Sequence, residues 1–251
     1  MKRRFIAVLI MRDCKVVQSV QFNHTNIIHS SPVIAVEQFS KWDVDEIIII
    51  NVDRKPDGLE NFIGMINQIV SKCFLPVTVG GWVKDVKTCE MIFESGADKI
   101  LLNSHLFEKN NLVSELVAKY GSQAIVAGID VKLNEIGEKS VFKNRGREDT
   151  KFKPVEWAHK VISLGVGEIF LSSIDHDGMR EGYDLKLMSD VSSSVSVPVI
   201  AFGGVSDWMQ IVDAAQKTEC EGFAVANALH YTDRSARKAK KIIKENGIDI
   251  R

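Results

Sequence analysis

Val77-Thr78-Val79-Gly80-Gly81 is a short apolar run closed by two glycines, and Val199-Ile200-Ala201-Phe202-Gly203-Gly204 repeats the pattern. An apolar run of this length reads as a buried strand. A glycine pair at its end lets the backbone come close to a ligand. Gly203 stands 123 positions after Gly80, about half of the 251-residue chain, which predicts a duplicated half. Asp98-Lys99-Ile100-Leu101-Leu102-Asn103-Ser104 is answered 123 residues on by Glu221-Gly222-Phe223-Ala224-Val225-Ala226-Asn227. Asn51-Val52-Asp53 is answered at offset 122 by Ser173-Ile174-Asp175, and Phe5-Ile6-Ala7-Val8-Leu9-Ile10 at offset 120 by Ile125-Val126-Ala127-Gly128-Ile129-Asp130. Four matches in one order at nearly one offset predict four strands in each half and eight in all.

The length matches the ~250 residues typical of an eight-stranded parallel α/β barrel. Helical patterns alternate with the strands, as a parallel sheet requires. The expected fold is therefore a (β/α)8 TIM barrel, one domain over residues 1–251 built from half-barrels of about 1–120 and 121–251. Apolar residues make up 45%, enough for a substantial core, and the formal net charge is −1. That charge offers no global electrostatic case for nucleic acid or an anionic membrane surface. No apolar run reaches the roughly 18 residues of a membrane span. Met1-Lys2-Arg3-Arg4-Phe5-Ile6 leads into an apolar stretch that stops at Arg12-Asp13, so it reads as a first strand rather than a signal segment. Cys14, Cys73, Cys89 and Cys220 are scattered, with no CxxC pair and no His at ligand spacing. A zinc site is not expected, no metal or organic cofactor is implied, and a reducing cytoplasm is the default.

The individual strands follow from short β-branched runs: Arg4 to Met11, Ile47 to Ile50, Val77 to Gly80, Ile100 to Asn103, Ala124 to Asp130, Ile169 to Ser173, Val199 to Phe202 and Phe223 to Ala226. Between the first strand and Ser31 the chain reads as a turn and a long polar loop. Ser30-Ser31-Pro32 then opens a helix, because serine caps and proline fits the first turn. Helices are expected over Gly58 to Cys73, Val86 to Glu94, Leu112 to Tyr120, Val155 to Leu164, Asp184 to Val191, Trp208 to Ala215 and about Asp233 to Asn246. The polar excursion Asn134 to Lys153 can form a small hairpin, with Asn144-Arg145-Gly146 as a turn signal.

In such barrels ligands sit at the carboxyl ends of the strands. There the sequence places Gly80, Gly81, Asn103, Ser104, Asp130, Ser173, Asp177, Gly178, Gly203, Gly204, Ala226 and Asn227. Backbone N–H groups in such turns suit phosphate oxygens, and two sites, one per half, imply a substrate with a phosphate at each end. The glycine pairs have a second reading, as a steric need of the turn alone. Asp130 ends its strand in Gly128-Ile129-Asp130 and can move a proton, or it can be a solvated turn residue. Asp177, in Asp175-His176-Asp177-Gly178, can face it across the mouth; His176 reads as a bystander. At the opposite rim Arg4, Glu46, Lys99 and Glu168 stand at the starts of four strands. They are either surface charges or, pointing inward, a ring of salt bridges across the floor, which is costly unless well satisfied.

Together these residues resemble the cyclase-subunit family of imidazole glycerol phosphate synthase, from histidine biosynthesis. The resemblance runs from Arg4 to Arg251. It rests on Val77 to Gly81, Gly96-Ala97-Asp98-Lys99, Asn103-Ser104, Gly121-Ser122-Gln123-Ala124, Gly128-Ile129-Asp130, Gly167-Glu168-Ile169, Ser173 to Gly178, Gly182-Tyr183-Asp184 and Gly203-Gly204. It implies a barrel with two phosphate sites, a class I glutaminase subunit docked on the amino-terminal face, and ammonia passing through the floor and up the core. It assigns the gate to Arg4, Glu46, Lys99 and Glu168, and thereby favours the ring.

The family's second catalytic aspartate, at the end of strand one, is replaced here by Ile10. Gln18 stands for the loop-one lysine, Asn51 for the strand-two aspartate, Trp82 for the third glycine of the first phosphate turn, and Phe202 for a small residue before the second. Removing one member of an acid–base pair commonly costs ~10²–10⁴ in rate. Two functions follow: a lyase-type cyclase acting on a doubly phosphorylated ribosyl intermediate, or a non-cyclising paralogue that conducts ammonia to a separate synthetase, for example in amidating a surface-polysaccharide sugar. A plain binding barrel without ammonia traffic fits the matching gate poorly.

Overall fold

In the computed structural model, residues 2–55, 58–108, 111–230 and 236–251 are described. Eight parallel strands close on themselves: β1 (Arg4–Arg12), β4 (Glu46–Asn51), β5 (Val77–Gly80), β6 (Lys99–Leu102), β7 (Ile125–Leu133), β10 (Glu168–Ser173), β11 (Val199–Phe202) and β12 (Gly222–Val225). Pairing runs β1-β4-β5-β6-β7-β10-β11-β12 and returns to β1 in the register Arg4 with Gly222 and Ala7 with Val225. Closure leaves no barrel edge unpaired, so each strand's backbone polar groups are satisfied by its neighbours.

Eight helices surround the barrel: α1 (Pro32–Lys41), α2 (Leu59–Val70), α3 (Val86–Glu94), α4 (Leu112–Tyr120), α5 (Pro154–Ser163), α6 (Leu185–Ser192), α7 (Trp208–Lys217) and α8 (Ala236–Glu245). Their starts are chemically marked, because the first N–H groups of a helix need an acceptor. Asp85 accepts from Thr88 N at 2.8 Å, Asp184 from Leu187 N at 3.0 Å, and Asp207 forms a reciprocal capping box with Gln210. Ser31 caps α1 with Pro32 in its first turn, as expected. The expected start of the last helix, at Asp233, lies outside the described residues. No helix among the described residues is long and apolar enough to cross a membrane.

The expected polar loop after strand one is a correction. Lys15–Val20 (β2) and His24–His29 (β3) form an antiparallel hairpin standing on the end of β1. Its inner strand buries Val16 and Val17 while β3 is largely exposed, so the alternation visible in the sequence is weak. The excursion after strand five is also a hairpin, in which β7 continues past Asp130 to pair with β8 (Lys139–Lys143), and β8 with β9 (Glu148–Asp149).

Strand side chains alternate between two cores, since successive residues point to opposite faces. Phe5, Ala7, Leu9 and Met11 pack outward under the helices, while Ile6, Val8 and Ile10 point into the barrel with Ile48, Leu101, Val126, Phe170 and Ile200. The barrel interior is thus an apolar column with a polar layer at each end.

Candidate functional site

At the amino-terminal end the four charges expected there all point inward and join. Arg4 Nη1 donates to Glu46 at 3.0 Å and Nη2 to Glu168 at 2.6 Å. Lys99 Nζ donates to Glu168 at 2.8 Å and lies 3.6 Å from Glu46. Each cation therefore meets both carboxylates, and the ring carries no net charge. Arg4, Glu46 and Glu168 are buried, whereas the Lys99 side chain is 21% exposed. Burial opposes the charge on Arg4, but Glu168 and Glu46 outweigh it and hold the guanidinium pKa above its ordinary value. Arg4 Nε is buried and has no acceptor among the described residues.

At the carboxyl-terminal mouth lie two cavities. One, of about 470 Å³, has Ile10, Ile50, Leu101, Phe170 and Phe202 among its apolar lining and also receives Asn51, Gly81, Trp82, Asn103, Ser104, Asp130 and Ser172. The other, of about 440 Å³, is lined by Gln18, Asp177, Gly178, Gly203, Gly204, Ala226 and Asn227. The two cavities thus separate the first-half residues Gly81, Asn103 and Ser104 from the second-half set.

Asp130 is half-buried and accepts from Asn103 Nδ2 at 2.9 Å. Burial pushes its carboxyl up to about 7, against the pull of the nearby Ser172 and Asn103 side chains, and the Asp177 charge adds to the rise. Ser172 Oγ lies close without making a hydrogen bond of good geometry. Such a carboxyl is poised to give or take a proton near neutral pH. Its expected counterpart, Asp177, is only 3% exposed and is engaged elsewhere. Ser19 Oγ donates to it at 2.7 Å, and Gln21 N donates to its backbone carbonyl at 3.0 Å. Burial raises Asp177 to about 6, opposed by bonds from Ser19 and the Phe22 and Gln21 amides. Asp177 holds the β2–β3 hairpin over the mouth. His176 bonds the Gly182 carbonyl through Nδ1, in keeping with a bystander.

The glycine pairs have a steric cause. Gly81 has φ +100°, and a Cβ there would lie 2.2 Å from the Asn51 carbonyl oxygen. At Gly204, φ is +90° and the Cβ would lie 2.3 Å from the Gly182 oxygen. Gly80 lies in β5 against Leu101 and does not line the described cavities. We expect Gly81→Ala to cost about 2 kcal/mol or more, since both the dihedral and the space are wrong; urea denaturation checks this.

Of the other expected phosphate residues, Ser173 is 2% exposed and lines neither cavity, whereas Ser172 does. Parity decides this: Glu168 points inward, so Phe170 and Ser172 do too. Counting in twos from Glu168 would have found Ser172. In the first-half cavity, Ser104 Oγ accepts from Asn144 N at 3.1 Å, and Trp82 Nε1 donates to the Asp53 carbonyl at 2.9 Å. The chain's own groups thus occupy polar positions there. Sequence reasoning also missed Arg54, Arg145 and Arg147, which line the same cavity. They sit on loops whose proximity no local pattern announces.

A closed eight-stranded barrel with a charged floor and a carboxyl-bearing mouth is a (β/α)8 barrel built as enzymes of that fold are built. The chain belongs to the histidine biosynthesis protein family, matched over residues 4–235. It is 33% identical over 249 residues to the imidazole glycerol phosphate synthase subunit HisF of Bacillus cereus, covering 99% of this chain and 98% of that one. It is 32% identical over 252 residues to the subunit of the same name from Streptococcus mutans, across the whole of both chains. This chain is a divergent HisF-type barrel.

Proposed function

We propose that this barrel is the ammonia-receiving subunit of a glutamine amidotransferase complex, and that it delivers ammonia without cyclising a ribosyl substrate. The observation that carries the first half is the inward ring of Arg4, Glu46, Lys99 and Glu168, closed by four ion pairs beneath an apolar column. A buried charged ring is a poor way to gain stability, which argues for a use. Ammonia is small and neutral, so it can cross an apolar column that excludes ions. The unpartnered Arg4 Nε offers it a donor on the way. The loosest contact, Lys99 to Glu46, and the greater exposure of Lys99 mark where the ring opens. Phe74, 98% exposed just before β5, gives a class I glutaminase an apolar foothold beside the floor.

The second half rests on Ile10, which lines the mouth where a second carboxylate would stand, and on Trp82 and Asn144, which fill the first-half turn. The nitrogen then goes to a separate synthetase, a sugar-amidating one being the example. The same barrel, as one domain of two half-barrels, is read as working in the cytoplasm. A cyclase reading is favoured by one observation, the Asp130 carboxyl at about 7. In that reading Asp130 and Asp177 are catalytic, and Gly80, Gly81, Asn103, Ser104, Ser173, Gly178, Gly203, Gly204, Ala226 and Asn227 hold the phosphates.

The test combines purified barrel with its glutaminase and glutamine or ammonium. Glutamine-dependent ammonia delivery that is lost in Lys99→Met, with no turnover of the doubly phosphorylated ribosyl intermediate from either nitrogen source, is the expected result. Ammonium-driven cyclisation at an ordinary enzyme rate would establish the cyclase reading instead. Ammonia delivery unaffected by Lys99→Met would sink the floor as a gate.

A further inference from the structure

Arg54, Arg145 and Arg147 reach the first-half cavity from two loops, one after β4 and one between β8 and β9. Asn144 and Arg145 take positive φ, 50° and 60°, so the second loop turns sharply at the mouth. Arg145 Nη1 spans the cavity to the carbonyls of Val52 at 3.4 Å and Asp53 at 3.3 Å. These are neutral acceptors. Arg54 and Arg147 are exposed and form no ion pair among the described residues.

The acids that share the cavity are accounted for. Asp53 accepts from Asp13 N at 2.6 Å, Glu148 pairs with Lys143 at 2.8 Å, and Glu108 pairs with His105 at 2.8 Å. Asp130, raised by burial to about 7, is partly neutral at physiological pH. Burial, then the charges of Arg147 and Arg54, hold the Arg145 pKa below its ordinary value, and no carboxylate counters them. Three guanidinium groups with no protein anion among them create a positive field at a concave, aromatic-walled mouth, with Trp82, Phe22 and Phe107 in the lining.

We propose that Arg54, Arg145 and Arg147 form a binding site for a phosphate or diphosphate ester, set outward of the turn formed by Gly81 and Ser104. This rests on the ammonia-delivery reading and names the acceptor's class: a phosphorylated small molecule held at the mouth where ammonia emerges. Planar guanidinium forks match phosphate oxygens in pairs, and 470 Å³ admits a phosphosugar rather than a macromolecule.

Calorimetric titration of the full chain with inorganic phosphate, pyrophosphate and a nucleoside diphosphate tests the site. Arg54→Ala and Arg147→Ala lie on exposed loops, and circular dichroism confirms that they fold. Each is expected to weaken pyrophosphate binding at least tenfold, the double variant about a hundredfold. Raising salt is expected to weaken binding to the natural chain much more than to the double variant. Tighter nucleoside diphosphate than pyrophosphate assigns the site to a nucleotide ester; equal affinity assigns it to the phosphate groups alone, and both support it. Binding that is undiminished in the double variant, absent in the natural chain, or seen only with an acidic peptide overturns it. Ammonia delivery by the natural chain is read separately, so intact delivery without anion binding sinks this site alone, and intact binding without delivery sinks the floor alone.

Discussion

Arg4→Met is expected to destabilise the barrel by about 3–5 kcal/mol, the range for breaking a buried ion pair by removing one partner. The substitution keeps a comparable apolar length but leaves Glu46 and Glu168, both nearly fully buried, sharing only Lys99. Replacing the whole ring with apolar residues (Arg4→Met, Glu46→Leu, Lys99→Leu and Glu168→Met together) is expected to recover most of that loss. Desolvation of four charged groups is then no longer required, and such replacements are often neutral or stabilising. Denaturant unfolding of the two variants measures both quantities. A quadruple variant as unstable as Arg4→Met would mean that the ring is a structural necessity. A stable quadruple variant that no longer delivers ammonia would separate the ring's use from the fold's needs.

The second large effect is at Asp130, where the sign of the pH dependence is diagnostic. Burial raises the carboxyl from 3.8 to about 7. Between those values the folded protein keeps a proton that the unfolded chain has released. Stability from this group is therefore full below about pH 4, falls as pH rises toward 7, and stays low above. Asp130→Asn removes the penalty. It is expected to match the natural protein at pH 4.5 and to exceed it by about 2–4 kcal/mol at pH 8, from a shift of roughly three units. The Asn103 amide keeps an oxygen acceptor in the variant. Urea midpoints at the two pH values provide the measurement, and a less stable variant at pH 8 would show that the native carboxylate is ionised and well satisfied. Asp177 shifts in the same direction, to about 6, but its carboxylate accepts from Ser19 and the hairpin amides. Its replacement loosens the hairpin and gains nothing.

The contrast between these two aspartates shows where sequence reasoning reached its end. Both end barrel strands or follow them closely, and both read as candidates for proton transfer. Asp130 faces the cavity because strand parity puts it there, and parity is local. Asp177 faces a hairpin that its own neighbourhood does not mention. Ser172 and Ser173 repeat the lesson from the other side, since a period of two, counted from Glu168, distinguishes them without any structure.

The chain's periodic apolar runs, its glycine pairs at a half-chain offset and its helix caps specified eight strands and eight helices, because those signals are short-range and repeat. The charges opening four strands were legible for the same reason, as each lies one residue from a run whose direction is known. Their meeting in one ring, the hairpin over the mouth, the filling of the first-half turn by Trp82 and Asn144, and the gathering of Arg54, Arg145 and Arg147 were settled only by closure of the barrel. Closure brings loops that are far apart in sequence onto one rim, and contacts between such loops depend on side-chain reach and burial, which leave no periodic trace in the chain.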